Sequence, residues 1–380
     1  MEEKFKRIIA WKNGKKNGPY KIQFNPTNKC NLNCVPCVAR GKAIYNPSEE
    51  VSKERYIELI QEAAKLGVTN CDICGGGEPF ARLDTTLAMM KEIKKNNMIG
   101  TIMTNGTLFT EDSIKEIINM NWDHINFSLD GSNEKINDSL RGKGTFIKIM
   151  NAIKLFNTYK KKLKQEKPFL SIYSITNKKN YLYTEELVAL AKQYEIDGLY
   201  FQPVAVSDGK GDSLIMSKED VEEFKKITSK IRKQLEDGKI KSNIEFIDKY
   251  LVENTDNTLE VRKKDAENKT EEKKGNKKEK QEEKNKLQHE KEISISCFSP
   301  WMMLVIRADG IVGPCPPGVE YPAFAECNVK DKSLKEIWFG KEFNDFRSRM
   351  VQQDEPECCN NCGSMEVIAN REILKRIEKE

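Results

Sequence analysis

The feature that most restricts this chain is an alternation running from residue 20 to 203. Short apolar runs at 21–25 (KIQFN), 69–74 (TNCDIC), 99–103 (IGTIM), 123–129 (DHINFSL), 168–174 (PFLSIYS) and 197–203 (DGLYFQP) are separated by amphipathic stretches at 52–66, 84–97, 110–120, 145–163 and 181–195. The short runs read as strands, and apolar residues recurring every three to four positions read as helices. Asp84 and Thr110 are placed as helix caps, and Glu111 and Asp112 add two acids at the positive end of the helix that follows. Strands alternating with helices imply βαβ units and a parallel sheet. Six units are too few for an eight-fold barrel, so the expectation is an α/β chain with a partial (β/α)6 barrel.

The rest divides by composition. Residues 1–19 read as an N-terminal extension, 20–215 as the barrel and 216–252 as a helical connection, with helices at 217–236 and 242–252. Residues 253–292 hold 12 Lys/Arg and 12 Asp/Glu, with only Leu259, Val261, Ala266 and Leu287 apolar. So little apolar area cannot offset chain entropy, and a charged disordered linker is expected. Residues 293–380 read as a small α+β unit. LVIRADGIVGPC forms a hairpin about Asp309-Gly310, and SLKEIWFGKEFNDFRSRM reads as one amphipathic helix capped by Ser333.

Composition excludes some functions. The chain has 64 Lys/Arg against 59 Asp/Glu, a net charge of +5. That near-balance argues against a nucleic-acid partner, whose binding rests on many phosphate contacts. The longest apolar run, Trp301 to Ile306, is far short of the ~20 residues a membrane span needs. The start, MEEKFKRIIAWKNGKK, has no secretory apolar core. A soluble, cytoplasmic chain without a membrane partner is expected. Eleven cysteines with only two histidines, His124 and His289, then suggest thiolate ligation of metal or clusters rather than disulfides. His124 begins a strand and reads as structural. Cys71 and Cys74 fall in the second strand and read as core residues.

Residues 30–37, CNLNCVPC, place Cys30, Cys34 and Cys37 directly after the first strand. Three thiolates so close can hold three corners of an iron–sulfur cube, leaving the fourth iron open to a ligand. A zinc site would want a fourth protein ligand nearby, and Asn28, Asn31 and Asn33 are poor candidates. Gly75-Gly76-Gly77-Glu78-Pro79 ends the second strand. Glycines there allow close backbone approach, and the carboxylate can pair with an ammonium group. Such loops at the carboxyl ends of parallel strands face the ligand crevice.

Together these residues resemble the radical S-adenosylmethionine superfamily, over roughly residues 20–204. Thr104-Asn105-Gly106-Thr107-Leu108 after strand three, Phe127-Ser128-Leu129-Asp130-Gly131 after strand four, Arg141 in LRGKGTF and Tyr200-Phe201-Gln202-Pro203-Val204 extend the likeness. The resemblance implies a [4Fe-4S] cluster on Cys30, Cys34 and Cys37, with S-adenosylmethionine chelating the open iron. It implies that Glu78 and the Gly76–Gly77 backbone bind its amino group, Ser128 its ribose or carboxylate, and Arg141 its carboxylate. Asn105 and Gln202 join the cofactor site. Reductive cleavage would give a 5′-deoxyadenosyl radical that abstracts a substrate hydrogen, the protein positioning the cofactor and excluding water. Pro36 departs from the aromatic residue common before the last cysteine, which weakens one adenine contact.

The C-terminal part holds Cys297, Cys315, Cys327, Cys358, Cys359 and Cys362. Cys297, Gly310 and Cys315 fit C-x12-G-x4-C, and Cys359 and Cys362 form C-x2-C. Two separated pairs make a closed tetrathiolate, suited to a fully ligated cluster or to structural zinc. The pattern resembles the SPASM extension and its shortened form, the twitch domain, with one auxiliary [4Fe-4S] cluster. Cys327 and Cys358 are left over as core residues, spare ligands or a hydrogen-atom donor.

A closed second cluster suits electron transfer, so the first expectation is a two-electron substrate oxidation by an oxidoreductase. Modification of a ribosomally made peptide, by crosslinking or epimerisation, is the alternative. Only 20 residues precede strand one, too few for a leader-binding winged helix. A non-catalytic iron–sulfur or zinc scaffold is disfavoured by the cofactor-pocket motifs. The expected partners are a small-molecule or peptide substrate and an external electron donor of flavodoxin or ferredoxin type. Substrate contacts are expected on loops 177–180 and 204–213.

Overall fold

The computed structural model describes residues 2–37, 46–204, 212–245, 247, 251, 297–354 and 356–359. The charged segment 253–292, Cys362 and most of loop 204–213 lie outside the described residues, as does much of the expected helix 242–252. The strands are β1 (Lys21–Phe24), β2 (Asn70–Ile73), β3 (Ile99–Thr104), β4 (His124–Ser128), β5 (Phe169–Thr176), β6 (Gly198–Pro203), β7 (Lys241–Ser242), β8 (Met303–Ile306) and β9 (Val312–Gly313). They form one open sheet in the order β7-β6-β5-β4-β3-β2-β1-β8-β9. Every neighbouring pair is parallel except β8 with β9. The six expected strands are all present, in sequence order across the sheet.

The helices are α1 (Glu2–Lys12), α2 (Lys53–Lys65), α3 (Leu83–Lys95), α4 (Glu111–Asn119), α5 (Glu134–Arg141), α6 (Thr145–Leu163), α7 (Thr184–Gln193), α8 (Lys218–Gln234), α9 (Ser299–Met302), α10 (Leu334–Trp338) and α11 (Lys341–Val351). Thr110 caps α4 in a reciprocal box with Ser113. Asp84 is not a cap: α3 starts at Leu83, and Asp84 stands in its first turn.

Side chains alternate across each strand, so one face is apolar and the other is not. On β4, Ile125 and Phe127 are buried under helices, whereas His124, Asn126 and Ser128 are half-exposed on the concave face. β1 repeats this with Ile22 and Phe24 against Lys21 and Gln23.

Two expectations for the C-terminal unit change. Its first strand does not found a separate sheet: β8 pairs with β1, from Lys21↔Met303 to Phe24↔Ile306. The first strand of an open barrel presents an edge of unpaired backbone groups, and β8 covers it. The barrel also grips this unit from the side. Val51 N–H donates to Ala308 O at 2.8 Å. Arg55 Nε donates to Val329 O at 2.8 Å and its Nη1 to Glu62 at 2.8 Å, while Glu62 accepts from Leu334 N at 2.7 Å. The single helix expected from Ser333 is two. Ser333 caps α10 in a box with Glu336, and Gly340 caps α11 in extended geometry (φ −70°, ψ 170°). The break turns α11 so that Arg347 lies 4.2 Å from the Trp338 ring centroid.

Candidate active site

Beyond β1 the chain crosses the carboxyl ends of the strands and carries Cys30, Cys34 and Cys37. Its base is pinned. The buried Glu50 carboxylate accepts from Thr27 Oγ1 at 2.8 Å and from Asn28 N at 2.7 Å, and Arg82 Nη1 donates to Pro26 O at 3.0 Å. Further along, Val35 N–H donates to Leu140 O at 2.8 Å, and Cys34 Sγ lies 3.7 Å from Arg141 O. Cys30 and Cys37 are exposed and Cys34 is half-buried. Burial pushes the Cys34 thiol up to about 11, opposed by the Arg141 cation and reinforced by Cys37, Asp130 and Cys30. Burial also raises Cys30, with Glu78 and Cys37 adding to the rise. The three thiols thus sense one another.

Among the described residues, no three Cys, His, Asp or Glu side chains converge as a single ion requires. Zinc, at ~2.3 Å from each sulfur, would need thiolates about 3.8 Å apart. A four-iron cube binds one thiolate at each of three corners and spaces them wider. Three mutually interacting, accessible thiols beside a buried cation fit that anionic group.

After β2 the glycine run doubles back along the cysteine loop. Gly77 N–H donates to Thr27 O and Glu78 N–H to Lys29 O, both at 2.8 Å. A Cβ on Gly77 would sit 2.0 Å from Lys29 O, so only glycine lets the loops meet; Gly76 beside it holds φ +68°. Glu78 is 3% exposed. Its Oε1 accepts from Thr104 Oγ1 at 2.6 Å and Phe80 N at 3.2 Å, and its Oε2 from Asn105 N at 2.7 Å. Burial raises this carboxyl to about 7 against those bonds. Glu78 therefore ties the turn after β2 to the end of β3, a task the sequence did not suggest. The Asn105 Nδ2 donates to Asn31 Oδ1 at 2.9 Å, and Asn105 lies close enough to Cys30 to lower its thiol. Asn105 thus links β3 to the cysteine loop directly.

Helix α5 escaped the sequence reading. Asn133 caps it, accepting from Ile136 N at 3.1 Å, and Arg141 ends it. Arg141 is 8% exposed, with Nε 2.8 Å from Asp130 Oδ2. Burial pulls the guanidinium down, but Asp130, Cys34 and Cys37 outweigh it and raise its pKa. Asp130, 1% exposed, also accepts from Ile175 N at 2.7 Å. It is a site residue that sequence reasoning quoted within SLDG but gave no role. Ser128 and Gln202 stand further round the concave face: Ser128 is in register with Tyr173, whose hydroxyl donates to Gln202 Oε1 at 3.0 Å.

The second group draws on three elements. Cys297 precedes α9, Cys315 follows β9, and Cys358 and Cys359 follow α11. The neighbouring Cys358, then burial, raises the Cys359 thiol, and the charges of Cys358, Cys315 and Cys297 add to the rise. The neighbouring Cys359 in turn lowers the Cys358 thiol. Gly318 N–H donates to Cys315 Sγ at 3.2 Å and Ser299 N–H to Cys297 Sγ at 3.4 Å. Met303 and Val305 face the concave side in register with Lys21 and Gln23, and pack with Val319, Ile311 and Cys315. Cys315 therefore lies against the concave side of the sheet.

The remaining cysteines divide. Cys71 and Cys327 are core residues, and burial raises both, Cys327 to about 11. Cys74 lies on the opposite face from Cys71, where burial pushes it up to about 12. His124 packs its ring against Phe169, centroids 5.5 Å apart, and burial lowers its pKa.

Residues 24–166 match the family model described as the Radical SAM superfamily, and residues 297–363 match SPASM, an iron-sulfur cluster-binding domain. The Fe-coproporphyrin III synthase of Methanosarcina barkeri is 35% identical over 33% of this chain and 31% of the relative. The mycofactocin maturase MftC of Mycolicibacterium smegmatis is 30% identical over 36% of this chain and 34% of the relative. The chain thus spans about a third of either protein. The crystal structure of Streptococcus suis SuiB bound to precursor peptide SuiA superposes with a TM-score of 0.61 at 17% identity, over 90% of this chain and 70% of that one. At that identity the likeness is one of fold, an α/β partial barrel. No helix among the described residues is long and apolar enough to cross a membrane.

Proposed function

We propose, for a chain that belongs to the radical S-adenosylmethionine superfamily and carries a SPASM domain, that it is a maturase which removes a hydrogen atom from a peptide substrate and oxidises it. The superfamily domain takes a [4Fe-4S] cluster and S-adenosylmethionine, and the SPASM domain takes further iron–sulfur clusters. Here Cys30, Cys34 and Cys37 would hold the first cluster. Cys297, Cys315, Cys359 and Cys362 would hold the second. Bound together, the first cluster and S-adenosylmethionine would supply a 5′-deoxyadenosyl radical that takes a hydrogen atom from the substrate.

The chain's own residues then have separable tasks. The Gly76–Gly77 backbone and Glu78 would receive the cofactor's ammonium end. Arg141, fixed by Asp130, would meet its carboxylate, and Asn105 and Ser128 would frame the rest. Arg141 also places a buried cation beside an anionic cluster, which favours its assembly. After hydrogen abstraction the substrate must lose a proton and an electron, and the thiols of the second group would hold the acceptor. An external donor of flavodoxin or ferredoxin type would reduce the first cluster.

One observation carries this reading: β8, whose antiparallel partner β9 leads to Cys315, is hydrogen-bonded to β1, the strand that leads to Cys30. Cys315 packs beside Met303 and Val305 on β8, so both thiol groups would border the same crevice. A peptide is favoured as substrate by the maturase relative and by the fold neighbour that holds a precursor peptide. The test is anaerobic reconstitution with iron, sulfide and a strong reductant, followed by assay of 5′-deoxyadenosine and of mass loss in a co-expressed candidate precursor peptide. Loaded protein that releases no 5′-deoxyadenosine would overturn the catalytic reading. Cofactor cleavage with conversion only of small molecules would overturn the peptide.

A further inference from the structure

The concave wall of β4–β6 carries neutral polar groups in a repeated arrangement. Asn126 on β4 and Ser171 on β5 are register partners, and Ser171 Oγ donates to Asn126 Oδ1, with Ile125 O a second acceptor at 3.3 Å. One layer up, Tyr173 reaches diagonally across to β6, where Gln202 is the register partner of Ile175, and its OH donates to Gln202 Oε1 at 3.0 Å. In both pairs a hydroxyl hydrogen engages the amide oxygen, which turns the amide NH2 away from the wall. Among the described residues, neither Asn126 Nδ2 nor Gln202 Nε2 has a protein acceptor, and both residues are half-exposed on the crevice side. The opposite faces of these strands, with Ile125, Ile172 and Phe201, are buried in the core. The charged groups that β1 and β2 place on the concave side, Lys21 and Asp72, pair with each other at 2.5 Å.

Resting on the reading above, we infer that Asn126 and Gln202 form a substrate-reading pair of N–H donors for carbonyl oxygens, with Ser171 and Tyr173 as positioning residues. Such a wall takes an uncharged, amide-bearing segment. Its exposed amide groups only donate, whereas a polyol offers hydroxyls that need acceptors as well as donors. An apolar macrocycle would leave both donors unpaired at its surface, which is costly.

The experiment measures binding of N-acetyl-trialanine amide and of methyl glucoside to the reconstituted protein with S-adenosylmethionine, by ligand-observed NMR. The tripeptide amide is expected to bind in preference to the glucoside. Asn126→Leu is expected to weaken it about tenfold, the effect of losing ~1.4 kcal/mol of hydrogen bonding. Tyr173→Phe is expected to weaken it about threefold and to narrow its preference over the glucoside, whereas Asn126→Gln should keep part of the preference. Equal binding of the two probes, or an unchanged preference in both Asn126→Leu and Tyr173→Phe with their melting temperatures retained, would overturn the inference. Binding is read without turnover, so its failure is distinct from a failure to form 5′-deoxyadenosine.

Discussion

The two cysteine groups are held in opposite ways. In the first, the thiols lie on one loop, two of them exposed, and the order resides beneath them: Glu50 at the loop base, Glu78 and Asn105 at the ends of β2 and β3, Arg141 at the end of α5. In the second, the described cysteines, Cys297, Cys315, Cys358 and Cys359, come from three places in the chain, each is half-buried, and backbone N–H groups reach the sulfurs of Cys297 and Cys315 directly. A group that must admit a ligand keeps its sulfurs accessible and places its rigidity in the surrounding polar network. A group that only exchanges electrons encloses its sulfurs, because hydrogen bonds to sulfur and exclusion of solvent tune the potential. The contrast predicts different consequences of damage.

The largest effect falls on the first group. Cys34→Ser should reduce 5′-deoxyadenosine to background and lower bound iron from about eight to about four atoms per chain, as two four-iron clusters become one. Cys315→Ala should lower iron to about the same level while leaving S-adenosylmethionine cleavage in place and abolishing peptide conversion. Iron and sulfide analysis beside product assay checks both. If Cys315→Ala also abolishes cleavage, the two groups are not separable and the comparison fails.

The next effect probes the network beneath the first group. Arg141→Met leaves Asp130 buried without its cation, and breaking such a pair costs about 3–5 kcal/mol. Urea unfolding should show this loss in the metal-free protein, before any cluster is loaded. Removing a second-group thiol, as in Cys358→Ser, should change metal-free stability by well under that amount. Comparable losses would mean that the two groups are supported alike.

Much of this was legible in the sequence, for physical reasons. The six strands and most helices follow from apolar period, because the sheet is buried on one face along its whole length. The first cysteine group follows from spacing, since a loop of eight residues cannot carry three thiolates far apart. What escaped was fixed by packing between distant segments. Helix α5 fills the eight residues Glu134 to Arg141, and LRGKG was read only as a motif tail. Asp130 needed its partner's helix to be seen as a counter-ion. β8 joined the barrel because β1 has a free edge, which no local pattern announces. Gly340 splits one amphipathic run because α11 must swing its apolar side onto Trp338 and Phe324.

The smallest effect is one of pH, and it distinguishes the groups by their charge. Glu78 titrates near 7 rather than near the ordinary ~4.3, because burial disfavours its anion. The folded chain therefore holds this proton more tightly than the unfolded chain. The resulting stabilisation is complete below the ordinary value, declines as pH rises from about 4 to 7, and is absent above that. Its size is at most about 4 kcal/mol, the free energy that separates a carboxyl titrating near 7 from the ordinary one. Urea midpoints of the metal-free protein at pH 5 and pH 8 should differ accordingly, and Glu78→Gln should flatten the difference while lowering stability at pH 5. In the reconstituted protein, S-adenosylmethionine should flatten it as well, since a nearby ammonium group favours the carboxylate. A pH slope that persists in Glu78→Gln would place the buried proton elsewhere. One that vanishes in the variant but ignores S-adenosylmethionine would make Glu78 a tie between β2 and β3 alone, and would leave Arg141 as the charged group facing the cofactor.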